Sequence, residues 1–319
     1  MSPRALPEWV EPMLAVLTDA RFSDKAWLFE PKLDGIRCLA FVEPGRVRLV
    51  SRNRKLLDGA YPEVVSALEG LSGRAVLDGE IVALDGGVSS FQRLQQRSGL
   101  RGSEALRSRV RVYYYVFDVT HLDGQDLRPL PLLERKAILR SLIPRRGPIR
   151  VTPFRRTAGE AAYQAACRRG LEGVIAKRSA APYTGGRSRD WLKLKCLNEQ
   201  EFVVGGFTDP AGSRSGLGAL LVGYHDGGAL RFAGKVGTGF DSRSLGELAA
   251  RLGKLVRRTS PFSDYDRRTP SIHWVRPTMV VQLAFQEWTA GGRLRQARFL
   301  GVREDKAAAD VIRERPRPR

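Results

Sequence analysis

The sequence predicts two folded parts: a mixed α+β domain over residues 1–195 and a β-barrel domain carrying one helix over residues 196–319. Three observations lead there. The chain has 319 residues, which is the length of about two domains. Its apolar content of 42% is enough for two cores. Short β-type runs alternate with helical periodicity up to Lys195, and glycine-spaced β runs dominate beyond it.

Residues 1–26, punctuated by Pro3, Pro7 and Pro12, read as a lead-in segment. Residues 27–30 read as a strand, Asp34-Gly35 as a turn, and 36–42 and 47–51 as two further strands. Val64, Val65 and Leu68 share one face of a helix over 62–71. Residues 75–77 and 81–84 flank Asp78-Gly79-Glu80 and read as a hairpin-like pair of short strands. Residues 91–96 are helical. The run Tyr113-Tyr114-Tyr115-Val116-Phe117 within 110–119 has the aromatic and β-branched content of a buried strand. A helix over 132–142 presents Leu132, Leu133, Ala137, Ile138 and Leu142 as its apolar face. Another covers 158–169, with Gly170 as its cap. Residues 173–177 and 191–195 close the first domain as strands.

Beyond Lys195, residues 202–207, 219–224 and 230–236 form the glycine-spaced strands. A helix over 242–255 interrupts them, and 280–288 resumes the pattern. This order fits an OB-fold. The Arg/Pro-rich end, 313–319, has no composition for a core.

The net charge of +20 at pH 7 is the strongest global signal. Lys and Arg number 34 against 21 Asp and Glu up to residue 195, and 20 against 13 beyond it, so the excess is not a detachable tail. A basic surface of this kind favours a polyanion such as nucleic acid. Cys38, Cys167 and Cys196 show no paired spacing and the three histidines are scattered. Neither a zinc site nor a disulfide framework is expected, as in a reducing cytosol. The N-terminus has no signal-peptide core and no apolar run approaches a membrane span. No P-loop, Rossmann fingerprint or Gly-x-Ser-x-Gly elbow occurs.

The chemistry gathers around strand-end charges. Lys32, Asp34 and Arg37 surround the first turn, Glu80 ends Asp78-Gly79-Glu80, and Glu172 and Lys177 bracket an apolar strand. Lys193 and Lys195 fall on one face of theirs by period two. Taken singly, each has an ordinary reading. Glu80 would be a turn residue, Lys193 and Lys195 the wet face of an edge strand, Phe117 core, and Arg303 to Lys306 a solvated charge run. Charges among apolar strand residues are costly unless they face a cleft or each other. Two carboxylates and several lysines at one cleft would suit a divalent metal and a phosphorylated ligand.

The joint order resembles the covalent nucleotidyltransferases: ATP-dependent DNA ligases, RNA ligases and mRNA capping enzymes. Lys32-Leu33-Asp34-Gly35-Ile36-Arg37 matches their Lys-x-Asp-Gly-x-Arg signature. Ser51-Arg52-Asn53, Leu77-Asp78-Gly79-Glu80, Phe117-Asp118-Val119, Glu172 through Lys177, Trp191 through Lys195, and Arg298 through Lys306 follow in the family's order. Phe91-Gln92-Arg93-Leu94-Gln95-Gln96, Gly234-Lys235-Val236-Gly237-Thr238-Gly239-Phe240 and His273-Trp274-Val275-Arg276-Pro277 are similar to the ligase domain of bacterial ligase D. That resemblance does not include the polymerase and phosphoesterase domains that often accompany it. Two positions depart from the pattern. Arg54 stands where glycine is commoner, and Gln282 where relatives tend to have glutamate.

The resemblance implies an α+β nucleotidyltransferase domain of antiparallel sheets flanked by helices, then an OB-fold domain. It implies an ATP-dependent DNA ligase with Lys32 as the AMP-accepting nucleophile, its neutral form favoured by a metal and flanking cations. Glu80 and Glu172 would hold Mg2+ or Mn2+, with Glu80 also near the ribose. Lys193 and Lys195 would neutralise the α-phosphate, Arg52 would contact phosphate, and Arg37 the ribose or a DNA 5′-phosphate. Phe117 would stack on adenine with Val174 against its other face. The backbone beside Glu30 would read the adenine edge, and Lys177 would line the nucleotide site. Arg303, Asp305 and Lys306 would orient pyrophosphate, with a hinge near 196–199. The expected partners are DNA (nicked or broken duplex) and the end-binding protein Ku, with the ligase a monomer in the bacterial cytoplasm at the nucleoid. An RNA-directed ligase or capping enzyme, and a non-catalytic DNA-end-binding module, are the alternatives.

Overall fold

The computed structural model describes residues 5–196, 198–210, 216–265 and 271–315. Residues 316–319, part of the Arg/Pro-rich end, lie outside them. The chain divides into two compact units, Met1–Cys196 and Leu197–Glu314.

Two sheets form the first unit. In one, the strand order is Met13–Leu17, Gly186–Lys195, Gly173–Arg178, Trp27–Lys32 and Arg155–Arg156. In the other, it is Arg46–Ser51, Ile36–Glu43, Ala75–Asp85, Val112–Leu122 and Gln125–Asp126. Alternation sorts each strand's side chains to two faces. Met13 and Trp191 of the first sheet meet Leu39, Phe41, Val76 and Phe117 of the second in a shared inner layer. The first sheet's outer face packs Trp27, Phe29, Val174, Ala176, Leu192 and Leu194 against the helix Gly159–Arg168 through Ala166. The second sheet's outer face covers Val64 and Leu68 of the helix Pro62–Glu69 and Leu139 of the helix Leu132–Leu142.

Four expectations change. Residues 13–17 form a strand, pairing in parallel with Gly186–Lys195, so the lead-in completes the first sheet. Ala75–Asp85 is one continuous strand, not a hairpin-like pair. Its Asp78-Gly79 is no turn: a Cβ on Gly79 would lie 2.5 Å from the Tyr114 ring and from the Tyr115 carbonyl oxygen. Glycine is there for close packing. The buried face of the helix Leu132–Leu142 is Leu132, Arg135, Lys136 and Leu139, rotated from the purely apolar face. Two buried carboxylates, Asp118 and Glu30, draw the cations inward: Arg135 binds Asp118 at 2.7 and 2.9 Å, and Lys136 pairs with Glu30. Finally, Cys167 and Cys196 are joined by a disulfide with Cα atoms 5.2 Å apart. It ties the end of the helix Gly159–Arg168 to the residue after the Lys195 strand. A separation of 29 residues left no short spacing to read. Cys38 is a free, buried thiol.

Arg54 has φ of 61°. That left-handed backbone is the physical basis of a glycine preference at this turn. Here the guanidinium lies 4.9 Å from the Trp9 ring centroid.

The second unit is an OB-fold barrel around the long strand Asn198–Thr208. This strand pairs with Leu220–Asp226 on one edge, and with Val280–Phe285 then Ile272–Val275 along the other. Ala229–Val236 and Arg298–Val302 extend the two ends. The helix Ser242–Gly253 begins with a capping box of Asp241 and Ser244. It buries Leu245, Leu248 and Leu252, one stripe at helical spacing. Among the described residues no helix is long and apolar enough to cross a membrane.

The packing at Gly79 generates a prediction. Gly79→Ala forces a methyl into backbone and ring, so the first unit should lose roughly 1–3 kcal/mol, read by chemical denaturation. A neutral substitution would return Asp78-Gly79 to the role of a turn.

Candidate active site

Three neighbouring strands set the site by register. Lys32 pairs with Gly173, and Gly173 with Lys195. Two residues along, Glu30 pairs with Ile175, and Ile175 with Lys193. Two further, Leu28 pairs with Lys177, and Lys177 with Trp191. Cross-strand partners point to the same side of a sheet, as do residues two apart. Lys32, Glu30, Lys177, Lys193, Lys195 and Trp191 therefore share one face, toward the second sheet. The strand of Lys193 and Lys195 is flanked on both sides, so it is not a wet edge.

Glu172 stands just before this array. Gly173 follows with φ of 153°, and a Cβ there would lie 2.0 Å from the Leu194 carbonyl oxygen. Only glycine lets the chain pass so close. The Glu172 carboxylate forms an ion pair with the Lys32 ammonium. Burial would lower the Lys32 pKa, but Glu172, then Asp34 and Glu80, raise it above the ordinary lysine value. Three carboxylates thus hold the proton on Lys32.

Glu80 pairs in register with Arg37 and with Tyr115. A carboxylate oxygen of Asp34 lies within 4.8 Å of one of Glu172. Asp34 also accepts the Phe91 N–H at 2.8 Å, anchoring the helix Phe91–Gln95. Hard carboxylate oxygens around one lysine are a donor set that fits Mg2+ or Mn2+.

Deeper on the same face lies a buried charge cluster. The Glu30 carboxylate is 2.8 Å from Lys177 Nζ and also pairs with Lys136. Burial raises the Glu30 pKa, yet the two ammonium groups hold it below the usual carboxylate value. For Lys177, burial outweighs Glu30, and with Lys136 nearby its pKa falls to about 8. Its ammonium lies 4.1 Å from the Phe117 ring centroid and 3.9 Å from that of Trp191. Phe117 occupies an extra residue in its strand, between the pairs Asp78–Asp118 and Gly79–Val116. Such a bulge re-aims a side chain. Its ring also has the Arg37 guanidinium 4.6 Å from its centroid, so a purine stacking there must share the ring with a cation.

Arg37 is held firmly. Its Nε and Nη2 donate to the two oxygens of Asp78, each at 2.6 Å. The Tyr183 hydroxyl donates to Asp78 at 2.6 Å and accepts the Met13 N–H at 3.1 Å. Burial, then the Asp78 charge, pushes the Tyr183 pKa well up, so the phenol keeps its proton. Arg52 is half-buried in the turn after Arg46–Ser51, whose closure is set by Arg54 N–H to Ser51 O at 2.9 Å.

Val174 needs correcting. It faces the outer side of the sheet with Trp27, Leu192 and Leu194, one residue out of phase with Lys32. Ile175, half-buried between Glu30 and Lys193, has the parity Val174 lacks. Sequence reasoning also missed Lys136, Trp191 and the Asp78–Tyr183 anchor. For Lys136 a signal existed: Arg135 and Lys136 lie three and four residues after Leu132, the helical spacing that faces the core.

Arg303, Asp305 and Lys306 belong to the second unit and form a cluster there. Arg303 Nε and Nη2 bind the two Asp305 oxygens at 2.9 and 2.8 Å, and Lys306 lies 3.0 Å from Glu201.

The chain is similar to known proteins over both units. Residues 12–195 match the model of the ATP dependent DNA ligase domain, and 213–306 that of the ATP dependent DNA ligase C terminal region. The multifunctional non-homologous end joining protein LigD of Pseudomonas aeruginosa is 41% identical, over 98% of this chain and 37% of that protein. A probable DNA ligase of Sorangium cellulosum is 36% identical, over 95% of this chain and 58% of that one. The chain thus spans well under two thirds of these relatives. A solved structure of mycobacterial DNA ligase D complexed with ATP and MES matches with a TM-score of 0.70 and 36% identity, over 95% of this chain and 98% of that one. With its nucleotidyltransferase unit and OB-fold unit, the chain belongs to the ATP-dependent DNA ligase family.

Proposed function

We propose that this chain seals breaks in duplex DNA in three nucleotidyl transfers, with Lys32 as the residue that becomes adenylated. The observation that carries this is the register of the three strands, with Lys32, Lys193 and Lys195 on one face and Glu172 paired to Lys32. Lys32 Nζ attacks the α-phosphorus of ATP. A P–N bond forms, the bond to pyrophosphate breaks, and the ammonium proton leaves. The AMP then passes to a DNA 5′-phosphate, and the neighbouring 3′-hydroxyl displaces it to close the strand. Covalent catalysis divides one hard condensation into easier transfers.

Lys193 and Lys195 neutralise charge that builds on the α-phosphate. Glu30 and Lys177 border the adenine edge, Phe117 and Ile175 its faces, and Arg52 and Arg37 the sugar-phosphate side. Arg303, Asp305 and Lys306 serve the departing pyrophosphate. A divalent cation held by Glu80 and Glu172 would supply charge neutralisation, and with Glu172 so occupied burial favours the free amine of Lys32. The names of the longer relatives support a role in end joining; the proposal adds Ku as partner and the bacterial cytoplasm, at the nucleoid, as the place.

Lys32→Ala should abolish covalent AMP while leaving the melting curve intact, read with labelled ATP and denaturing electrophoresis. Parallel lanes with labelled GTP, and nicked duplexes of DNA or RNA strands, discriminate a capping enzyme or RNA ligase. A folded Lys32→Ala chain that still carries AMP would sink the assignment.

Glu172→Gln removes the strongest influence raising the Lys32 pKa. The charged form then loses its stabiliser, so deprotonation moves to lower pH by about 1–3 pH units. Trace acetylation of Lys32 against pH, followed by mass spectrometry, measures the midpoint. An unmoved midpoint would refute the coupling.

Nick sealing should weaken steeply with salt, because each neutralised phosphate releases counterions. Activity indifferent between about 50 and 200 mM salt would remove the basic surface from DNA binding.

A further inference from the structure

We infer that Gln282 is a positioning residue for Arg303, holding its guanidinium in place by bridging it to Glu199. This rests on the reading above that Arg303 serves pyrophosphate departure when Lys32 is adenylated.

Gln282 lies on Val280–Phe285, between Asn198–Thr208 and Arg298–Val302. It pairs in register with Glu201 on one side and Gly301 on the other. Glu199 is two residues from Glu201 and so has the same parity. Gly301 adds no side chain between Gln282 and the end of its strand, where Arg303 follows. Gln282 is 5% exposed and Glu199 8%.

Gln282 Nε2 donates to Glu199 Oε2 at 3.1 Å. Gln282 Oε1 accepts from Arg303 Nη1 at 2.7 Å. Asp305 takes Nε and Nη2, the other edge of the guanidinium. Arg303 is thus gripped along two edges, and a guanidinium fixed this way cannot rotate about its plane.

The amide has a chemical reason to be there. One planar group must accept from a cation on one side and donate to an anion on the other. A primary amide does both without charge. A carboxylate at position 282 would still accept from Arg303. It would, however, set two carboxylates at hydrogen-bond distance, which requires a shared proton or an added cation. A leucine would leave the Glu199 oxygen and Arg303 Nη1 without these bonds. Either change lets the guanidinium drift from its place, and small displacements of a positioning group are costly to reaction rates.

The test uses the full chain. Single-turnover formation of the Lys32–AMP adduct is measured for wild type, Gln282→Leu, Gln282→Glu and the exchange Glu199→Gln with Gln282→Glu. Sealing of a nick already carrying AMP on its 5′-phosphate is measured alongside, with melting curves to confirm folding. The exchange keeps one amide and one carboxylate in swapped places. The amide at position 199 then donates to the carboxylate at position 282, which accepts from Arg303. Both single variants should slow adduct formation by about 10- to 100-fold, with sealing of the adenylated nick held within about twofold. The exchange should recover to within about threefold of wild type. Wild-type rates in Gln282→Leu, equal slowing of both reactions, or an exchange no faster than Gln282→Glu would each overturn the inference. A wild type that forms no adduct would overturn the proposed function and this inference with it.

Discussion

The pairing of the Lys32 ammonium with the Glu172 carboxylate is the contact on which the first unit's site depends. Lys32 sits on one strand and Glu172 just ahead of the next. Their meeting requires Gly173, because any side chain there would collide with the Leu194 carbonyl. That glycine in turn requires the neighbouring strand to run through at close range, which brings Lys195 into the same row. One tight backbone approach thus sets Lys32, Glu172 and Lys195 together. Burial alone would lower the Lys32 pKa; the carboxylates raise it.

How much of this was legible in the sequence differs from residue to residue. Lys193 and Lys195 were readable because period two is a property of the strand, whatever surrounds it. Val174 runs against the same rule: it is one residue out of phase with Gly173, the register partner of Lys32. The strand Ala75–Asp85 was misread because Asp-Gly is a turn signal in isolation, and only the Tyr114 ring against Gly79 reveals the other use. Arg135 and Lys136 lie outside the apolar face that the sequence offers for their helix, because cations rarely turn inward. Their counter-charges, Asp118 and Glu30, come from distant strands, so no local pattern could show the match. The Cys167–Cys196 bridge is hidden likewise, since only the fold brings a helix end to a strand end.

Buried ion pairs of this kind are poor stabilisers in themselves. Desolvating two charges offsets most of their attraction, and apolar replacements are often as stable. Asp118 with Arg135, both fully buried, is therefore better understood as a fixing device that sets how the helix Leu132–Leu142 meets the sheets. The same helix delivers Lys136 to Glu30 one residue later. Without that second ammonium, Glu30 would face burial with Lys177 alone, and the charge of this buried cluster would change from one excess cation to none.

A common arrangement runs through both units. Lys32 is paired with Glu172, Arg37 with Asp78, Lys177 with Glu30, Arg303 with Asp305 and Lys306 with Glu201. These five cations, proposed to meet a phosphate or a purine, are already matched by carboxylates. Preformed partners hold the side chains in one geometry, so little rotamer entropy is lost when a ligand arrives. They also set a condition on that arrival. An incoming polyanion brings negative charge to cations whose attraction is already partly spent on carboxylates. The exchange becomes favourable as those carboxylates give up part of that attraction, and at Lys32 the carboxylate concerned is Glu172. On the proposed reading, nucleotide binding and loss of the Lys32 proton are thus coupled through a single ion pair, Lys32 with Glu172.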